Sequence, residues 1–157
     1  MENRMNIHIE KGIRQADIKK IVGWTNARNP EFLCQYAGDK WTFPLSEIQV
    51  SKERDSIYSI LRGREFMGMI QVLVQDRDRI HIGRFLINPD EAGKGIGTAA
   101  LKSFCKILFE EMKAEAITLN VAETNDAAQK CYQKCGFTVL KKECRNGKNI
   151  WKMVLIQ

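Results

Sequence analysis

Three glycines at alternating positions, Gly93, Gly95 and Gly97, with Lys94 between the first two, form the densest chemical signal in the chain. They follow the apolar pair Leu86-Ile87 and the dipeptide Asn88-Pro89, and they precede a long amphipathic pattern. The segment therefore reads as a turn leading from a strand into a helix N-terminus. The first turn of a helix carries N–H groups with no intrahelical partner, and aligned peptide dipoles leave partial positive charge there. Glycines remove the side chains that would keep an anion away, and Lys94 adds a mobile cation. The chemistry on offer is the binding of an anion, phosphate foremost, and the plain alternative is a glycine-rich turn with no ligand.

Two familiar phosphate-binding patterns fail here. A P-loop needs Gly-Lys-Ser/Thr, whereas Lys94 is followed by Gly95. A dinucleotide fingerprint needs G-x-G-x-x-G, and this spacing is G-x-G-x-G in mid-chain. A second constellation lies further on: Asn125, Ala128 and Tyr132, followed by Gly136-Phe137. At i, i+3 and i+7 they share one helix face, presenting an amide, a small gap and a phenol. Something could lie against Ala128 and meet the Tyr132 hydroxyl. A tyrosine simply packed on the sheet explains the pattern as well.

The elements that must position these residues follow from periodicity. Alternation predicts a short strand over 5–10, and Ile18, Ile21 and Val22 predict a helix over 13–24 that Asn29-Pro30 ends. Residues 31–50 carry Phe32, Tyr36, Trp41 and Phe43, which suit a substrate wall or packing under a long loop alike, and Ser46 opens a short helix. Strands are expected over 57–61, 66–74 and 80–87, with Gly68 marking a bulge or a close backbone approach. A helix over 91–113 shows the apolar stripe Leu101, Phe104, Cys105, Leu108 and Met112. A strand over 116–122 follows, and this strand–helix–strand order implies a parallel crossover. A helix from Asn125-Asp126 to Gly136, a strand from Phe137, an Asn146-Gly147 hairpin turn and a last strand over 149–156 complete the chain.

Composition narrows the class. The 157 residues, 44% hydrophobic and 28% charged, fit one globular domain. No apolar run approaches the ~20 residues a membrane span requires. Glu2, Asn3, Arg4, Asn6 and His8 interrupt any N-terminal leader, so a cytoplasmic protein with no membrane partner is expected. Five cysteines are an odd number, and Cys131 and Cys135 stand at helical rather than metal-ligand spacing, so no metal is expected. The net charge of +6 is scattered; it suits a polyanionic cofactor and gives no nucleic-acid motif.

Taken together, Gly95-Ile96-Gly97 and Asn125-x-x-Ala-x-x-x-Tyr132-x-x-x-Gly136-Phe137 resemble the GNAT acyltransferase superfamily, over roughly residues 64–156. The resemblance implies an α+β or α/β three-layer fold, with a mixed, mostly antiparallel sheet of six or seven strands flanked by helices. It implies a single domain over 1–157, with a substrate-side portion over about 1–55 and a CoA-binding core over about 64–156. It also implies acetyl-CoA as cosubstrate and acetyl transfer to a primary amine, small or peptidic, by direct attack. In that scheme the backbone of Leu86 and Ile87 binds the pantetheine and the acyl carbonyl. The N–H groups of Gly93, Lys94, Gly95, Ile96, Gly97 and Thr98 cradle the pyrophosphate, with the Lys94 side chain assisting. Asn125 contacts the pantetheine arm, and Tyr132 is the general acid for the departing thiolate.

Two residues depart from the family pattern. Ala92 stands where Gln or Arg is usual, which weakens phosphate contacts that are largely backbone. Asn120 stands where the related ribosomal-protein N-terminal acetyltransferases place a basic Glu, and it cannot take a proton. Glu123, His81, Asp39 and Glu31 are the candidate bases by charge, beside a water chain. The competing reading is a non-catalytic acyl-CoA-binding or sensing module, against which the retained Tyr132 argues. An edge strand or the C-terminal hairpin would suit a homodimer.

Overall fold

The computed structural model describes residues 5–157. Glu2, Asn3 and Arg4, on which the absence of a leader partly rested, lie outside the described residues. The strands are β1 (Ile7–Lys11), β2 (Ile57–Arg62), β3 (Glu65–Asp76), β4 (Arg79–Ile87), β5 (Ala116–Ala122), β6 (Thr138–Arg145) and β7 (Lys148–Ile156). The helices are α1 (Gln15–Asn26), α2 (Pro30–Ala37), α3 (Glu47–Ser51), α4 (Ile96–Glu110) and α5 (Asp126–Lys134). One seven-stranded sheet runs β1-β2-β3-β4-β5-β7-β6, and only the β4–β5 pair is parallel, as the intervening α4 requires. Among the described residues no helix is long and apolar enough to cross a membrane.

Each face of the sheet buries its own core. Ile60, Met67, Ile70, Ile80 and Ile82 pack beneath the α4 stripe of Leu101, Phe104 and Leu108. On the opposite face Ile57, Leu61, Phe66, Met69 and Leu86 pack under α1–α3 and the segment between them, with Ile18, Ile21, Leu33, Trp41 and Val50. Each fully buried aliphatic or aromatic chain is worth about 1.5–3 kcal/mol, so both layers are held mainly by apolar burial.

Two sequence expectations need correction. Asn29-Pro30 does not lead into a long loop. The Asn29 side chain accepts the Phe32 N–H at 2.8 Å and Pro30 occupies the first turn, so the dipeptide starts α2, which Gly38 ends at φ +76°. A helix breaker and a helix starter look the same when only the preceding helix is considered. The second concerns α4, which begins at Ile96 rather than Glu91. Pro89–Glu91 form one 3-10 turn, and Gly93 and Gly95 sit at φ +78° and +83°, a conformation no α-helix contains. The expected Asn146-Gly147 turn is present, with φ +50° and +77°.

Candidate active site

Strands β4 and β5 are joined by three residue pairs only: Arg79 with Ala116, Ile80 with Ile117 and His81 with Thr118. Beyond them the strands part, and the cleft-side backbone groups of residues 83–87 have no strand partner. β3 still pairs their other side, through Met69 with Leu86 and Gly68 with Ile87. The closeness of that pairing explains Gly68: a Cβ there would fall on the Leu86 carbonyl oxygen. The opening between β4 and β5 is a cavity of about 240 Å³ that passes through the sheet, with walls from α4 and α5 on one side and from α2 on the other.

On the α4–α5 side, Phe85, Ile87, Gly97, Ala128, Cys131 and Tyr132 line the cavity. A methyl group on Gly97 would lie 3.7–3.8 Å from Phe85, Cys131 and Ile87, so the glycine leaves a shallow cradle there. Among the described residues, the N–H groups of residues 93–98 make no hydrogen bond, leaving a row of donors at the head of α4. Lys94 reaches back to Glu91 at 3.4 Å, and Glu91 is held by Arg62 at 2.9 Å, which tethers the cation beside the loop. Asn125 uses its side-chain oxygen to cap α5, accepting from the Ala128 N–H at 3.2 Å, and so has only its NH₂ to offer a ligand.

Tyr132 sits between the Phe85 and Phe137 rings, at centroid distances of 6.4 and 6.0 Å. Burial, with the neighbouring Cys131 and Cys135, pushes its phenol well above the ordinary value, so it stays protonated at neutral pH. Among the described residues its hydroxyl has no hydrogen-bond partner, which leaves a proton donor in the cleft. Cys131 moves the other way, down to about 6. The Cys135 thiol and then the Thr98 hydroxyl, at 3.5 Å, stabilise its thiolate against the cost of burial.

On the α2 side the strand itself changes phase. Ile80 and Ile82 face α4, yet further along it is Phe85 and Ile87 that pack on that side, while Leu86 belongs to the opposite core. The switch occurs at Arg84, a non-glycine residue at φ +45°, where β4 spends three residue steps against two in β3. The bulge turns Arg84 toward α2, with only 6% of the residue exposed. Its Nη1 donates to Glu53 at 2.6 Å and to Gln71 at 3.1 Å, Nε to the Ala37 carbonyl at 3.4 Å, and the guanidinium lies 4.1 Å from the Trp41 ring centroid. Tyr36 lies nearby and donates to Thr25 at 2.8 Å, because Thr25 directs its own proton to the Ile21 carbonyl. Burial pushes the Tyr36 phenol up to about 12, against the pull of Thr25 and Arg84.

The profile of the acetyltransferase (GNAT) family matches residues 18–137, three-quarters of the chain and both walls of this cleft. The chain belongs to the GNAT family. Among curated relatives, an aminoglycoside N(6')-acetyltransferase of Klebsiella pneumoniae is 32% identical over 56 residues, 36% of this chain and 28% of that protein. A spermine/spermidine N(1)-acetyltransferase of Bacillus subtilis is 37% identical over 59 residues, 38% of this chain and 39% of that protein. The chain thus aligns with well under half the length of either. The fold extends further: spermidine N-acetyltransferase from Vibrio cholerae, solved with CoA and spermine, superposes with a TM-score of 0.80 at 16% identity, over 97% of this chain and 96% of that one.

Within this GNAT domain the four candidate bases do not gather at the cleft, and none of them lines it. His81 is bonded to Thr118 at 2.8 Å where the strands still pair, and burial, then Lys152 and Arg145, lower its pKa. Glu123, at the end of β5, accepts from Asn149 at 2.9 Å and from Trp151 at 3.5 Å. Glu31 lies in the first turn of α2, and Asp39 follows that helix. The residue that sequence reasoning missed is Arg84. Its signal was available: in Ile80-His-Ile82-Gly-Arg-Phe85-Leu-Ile87 the alternation of 80 and 82 breaks at a charged residue and resumes as a continuous apolar run.

Proposed function

We propose that this GNAT chain is an acetyl-CoA-dependent N-acetyltransferase acting on a small primary amine. The observation that carries the reading is the parting of β4 and β5 beside the glycine-rich head of α4. Unpaired strand edge, free N–H donors and a protonated phenol converge there on one passage through the sheet. Bound in that passage, acetyl-CoA supplies an acetyl group activated as a thioester.

The chain's own residues divide the work. The N–H groups of residues 93–98 and the Lys94 side chain receive the pyrophosphate. The backbone of Leu86 and Ile87 takes the pantetheine arm as a strand would, and polarises the acyl carbonyl. Asn125 contributes its NH₂ to the same arm. Tyr132 holds a proton at its hydroxyl for the departing thiolate. The ammonium sheds one proton to water, since none of the four candidate bases lines the cleft. The amine nitrogen then forms the new C–N bond, the C–S bond breaks as Tyr132 protonates the sulfur, and the second proton of that nitrogen restores the Tyr132 hydroxyl. Residues 64–156 form the cosubstrate-binding portion, and the first 55 form the acceptor side.

Calorimetric titration with acetyl-CoA, beside ATP and NAD, tests the reading, together with Tyr132→Phe. Binding of acetyl-CoA alone is expected. The variant keeps that affinity while its turnover, followed by free-thiol release, falls about a hundredfold. Folded protein that does not bind acetyl-CoA overturns the proposal, and a Tyr132→Phe enzyme of unchanged turnover removes the acid role.

A further inference from the structure

Two polar atoms at the α2 mouth of the cleft are left without protein partners. The first is Oδ1 of Asn120, which is buried and accepts no hydrogen bond. The second is Nη2 of Arg84: the other two nitrogens of that buried guanidinium are engaged, while Nη2 has no hydrogen-bond partner among the described residues. Both residues line the same cavity. They also share a face. Ile117, Leu119 and Val121 of β5 point into the core beneath α4, so Asn120 points the other way, toward the face to which the β4 bulge turns Arg84. An acceptor and a cationic donor thus face one passage; the acceptor is buried without a partner, and the Nη2 of Arg84 remains open to the cavity.

The charge at the α2 mouth is cationic. Among the described residues no carboxylate lines the cleft, and Arg84 is the one cationic residue in its wall, with the Cys131 thiol on the far, α4–α5 side. Glu53, which neutralises part of that charge from behind, has both oxygens occupied: Oε1 accepts from Arg84 and Gln71, and Oε2 accepts from Trp41 at 2.8 Å. Lys152 pairs directly with Asn120 across β5 and β7, on the same face. Lys148, at the start of β7, reaches Cys34 of α2 at 3.4 Å. A polyamine or an aminoglycoside would bring several cations to a wall that offers them no free carboxylate.

Resting on the acetyltransferase reading above, we infer that the acceptor is an amine bearing a carboxylate, a free amino acid. Its amine donates to Asn120 Oδ1 and its carboxylate accepts from Arg84 Nη2. Each group of such a ligand meets the unpaired atom of opposite kind, and both orphan atoms are satisfied at once. Asn120 then positions the acceptor nitrogen; being unable to take a proton, it orients the amine without acting as base.

The test requires no variant in its first arm. Methionine, glutamate, phenylalanine and lysine are assayed with acetyl-CoA as free acids and as their carboxamides, beside spermine and kanamycin, with thiol release as readout. For at least one amino acid, kcat/KM is expected to fall about tenfold to a hundredfold when the carboxylate becomes an amide, and both polycations are poorer than that acid. In the second arm Asn120→Ala raises KM for the amino acid more than it lowers kcat, and Arg84→Lys reduces the preference for acid over amide. Equal rates on acid and amide overturn the proposal, as does faster turnover of a polycation. So does acetyl-CoA binding with no turnover of any amino acid. If calorimetry on the same preparation detects no acetyl-CoA binding, it is the acetyltransferase reading that fails first.

Discussion

Beneath α4 the sheet is covered by one apolar stripe, Leu101, Phe104, Cys105 and Leu108, and every member is 5% exposed or less. Under α1–α3 the corresponding position in the layer is held by a charged side chain, Arg84, tied to Glu53, Gln71, Trp41 and the Ala37 carbonyl. The first layer depends on one helix stripe laid over apolar residues of many strands, from Ile7 to Met153. The second depends on residues from five separate segments that only the sheet register brings together. An apolar stripe tolerates small shifts, because dispersion and burial are not directional. A buried guanidinium does not, because each donor must meet its acceptor in the right place. The layer that would hold the cosubstrate is therefore robust, and the layer that would choose the acceptor is specific.

The severest way to break this arrangement is Gly68→Ala. The new methyl must displace the Leu86 carbonyl, shifting β4 against β3 where the strand enters the cleft. A loss of about 3 kcal/mol is expected, read as a lower denaturant midpoint at unchanged slope. Stability within error of the parent would mean that β4 yields there and that its position is not fixed by β3.

Glu53→Gln separates the two layers. It leaves Arg84, 6% exposed, without its anionic partner, at a cost of about 2 kcal/mol. It should raise KM for the acceptor and spare acetyl-CoA affinity; equal losses of both would show that the layers act as one. The pH dependence follows from the same pair. Burial would raise the Glu53 carboxyl, but hydrogen bonds from Gln71, Trp41 and Arg84 outweigh it and hold it below its ordinary 4.5. Its stabilisation is complete above that pH and is lost as pH falls through the lower folded value, so part of the parent's acid sensitivity below 4.5 should vanish in Glu53→Gln.

How far these layers can be read from the chain follows the same division. The glycine loop, the α4 stripe, β5, and the helix carrying Asn125 and Tyr132 are each short and periodic, and all stand close to their expected places. Residues 31–50 were opaque, because Asn29-Pro30 ends one helix and begins another within two residues. The Arg84 cluster was opaque for a different reason. Glu53, Gln71 and Arg84 are 13 to 31 positions apart, and only the bulge on β4, set by one positive φ, aims the third at the first two.

The mildest probe sharpens the α4–α5 side. Cys131 lines the cleft with a thiol lowered to about 6 from an ordinary 9.0, so its thiolate is half formed near pH 6. Its alkylation by iodoacetamide, followed site by site with mass spectrometry beside the exposed Cys144 as reference, should already be fast at neutral pH, the direction its lowered pKa requires. Acetyl-CoA should slow Cys131 and leave Cys144 untouched. Unprotected modification of Cys131 would move the cosubstrate away from the cleft.

The three pairs that join β4 to β5 have a mechanical meaning as well. They make the seven-stranded sheet two smaller sheets, β1–β4 and β5–β7, fastened along one short seam like a zip left mostly open. Ordinarily the rungs of a sheet are all supplied by the chain itself. Here the missing rungs fall where the proposed cosubstrate would lie, so whatever fills the gap would complete the ladder and stiffen the joint between the halves. Occupancy and rigidity become one variable, and the amides of β4 and β5 along the open seam report it through their exchange with solvent.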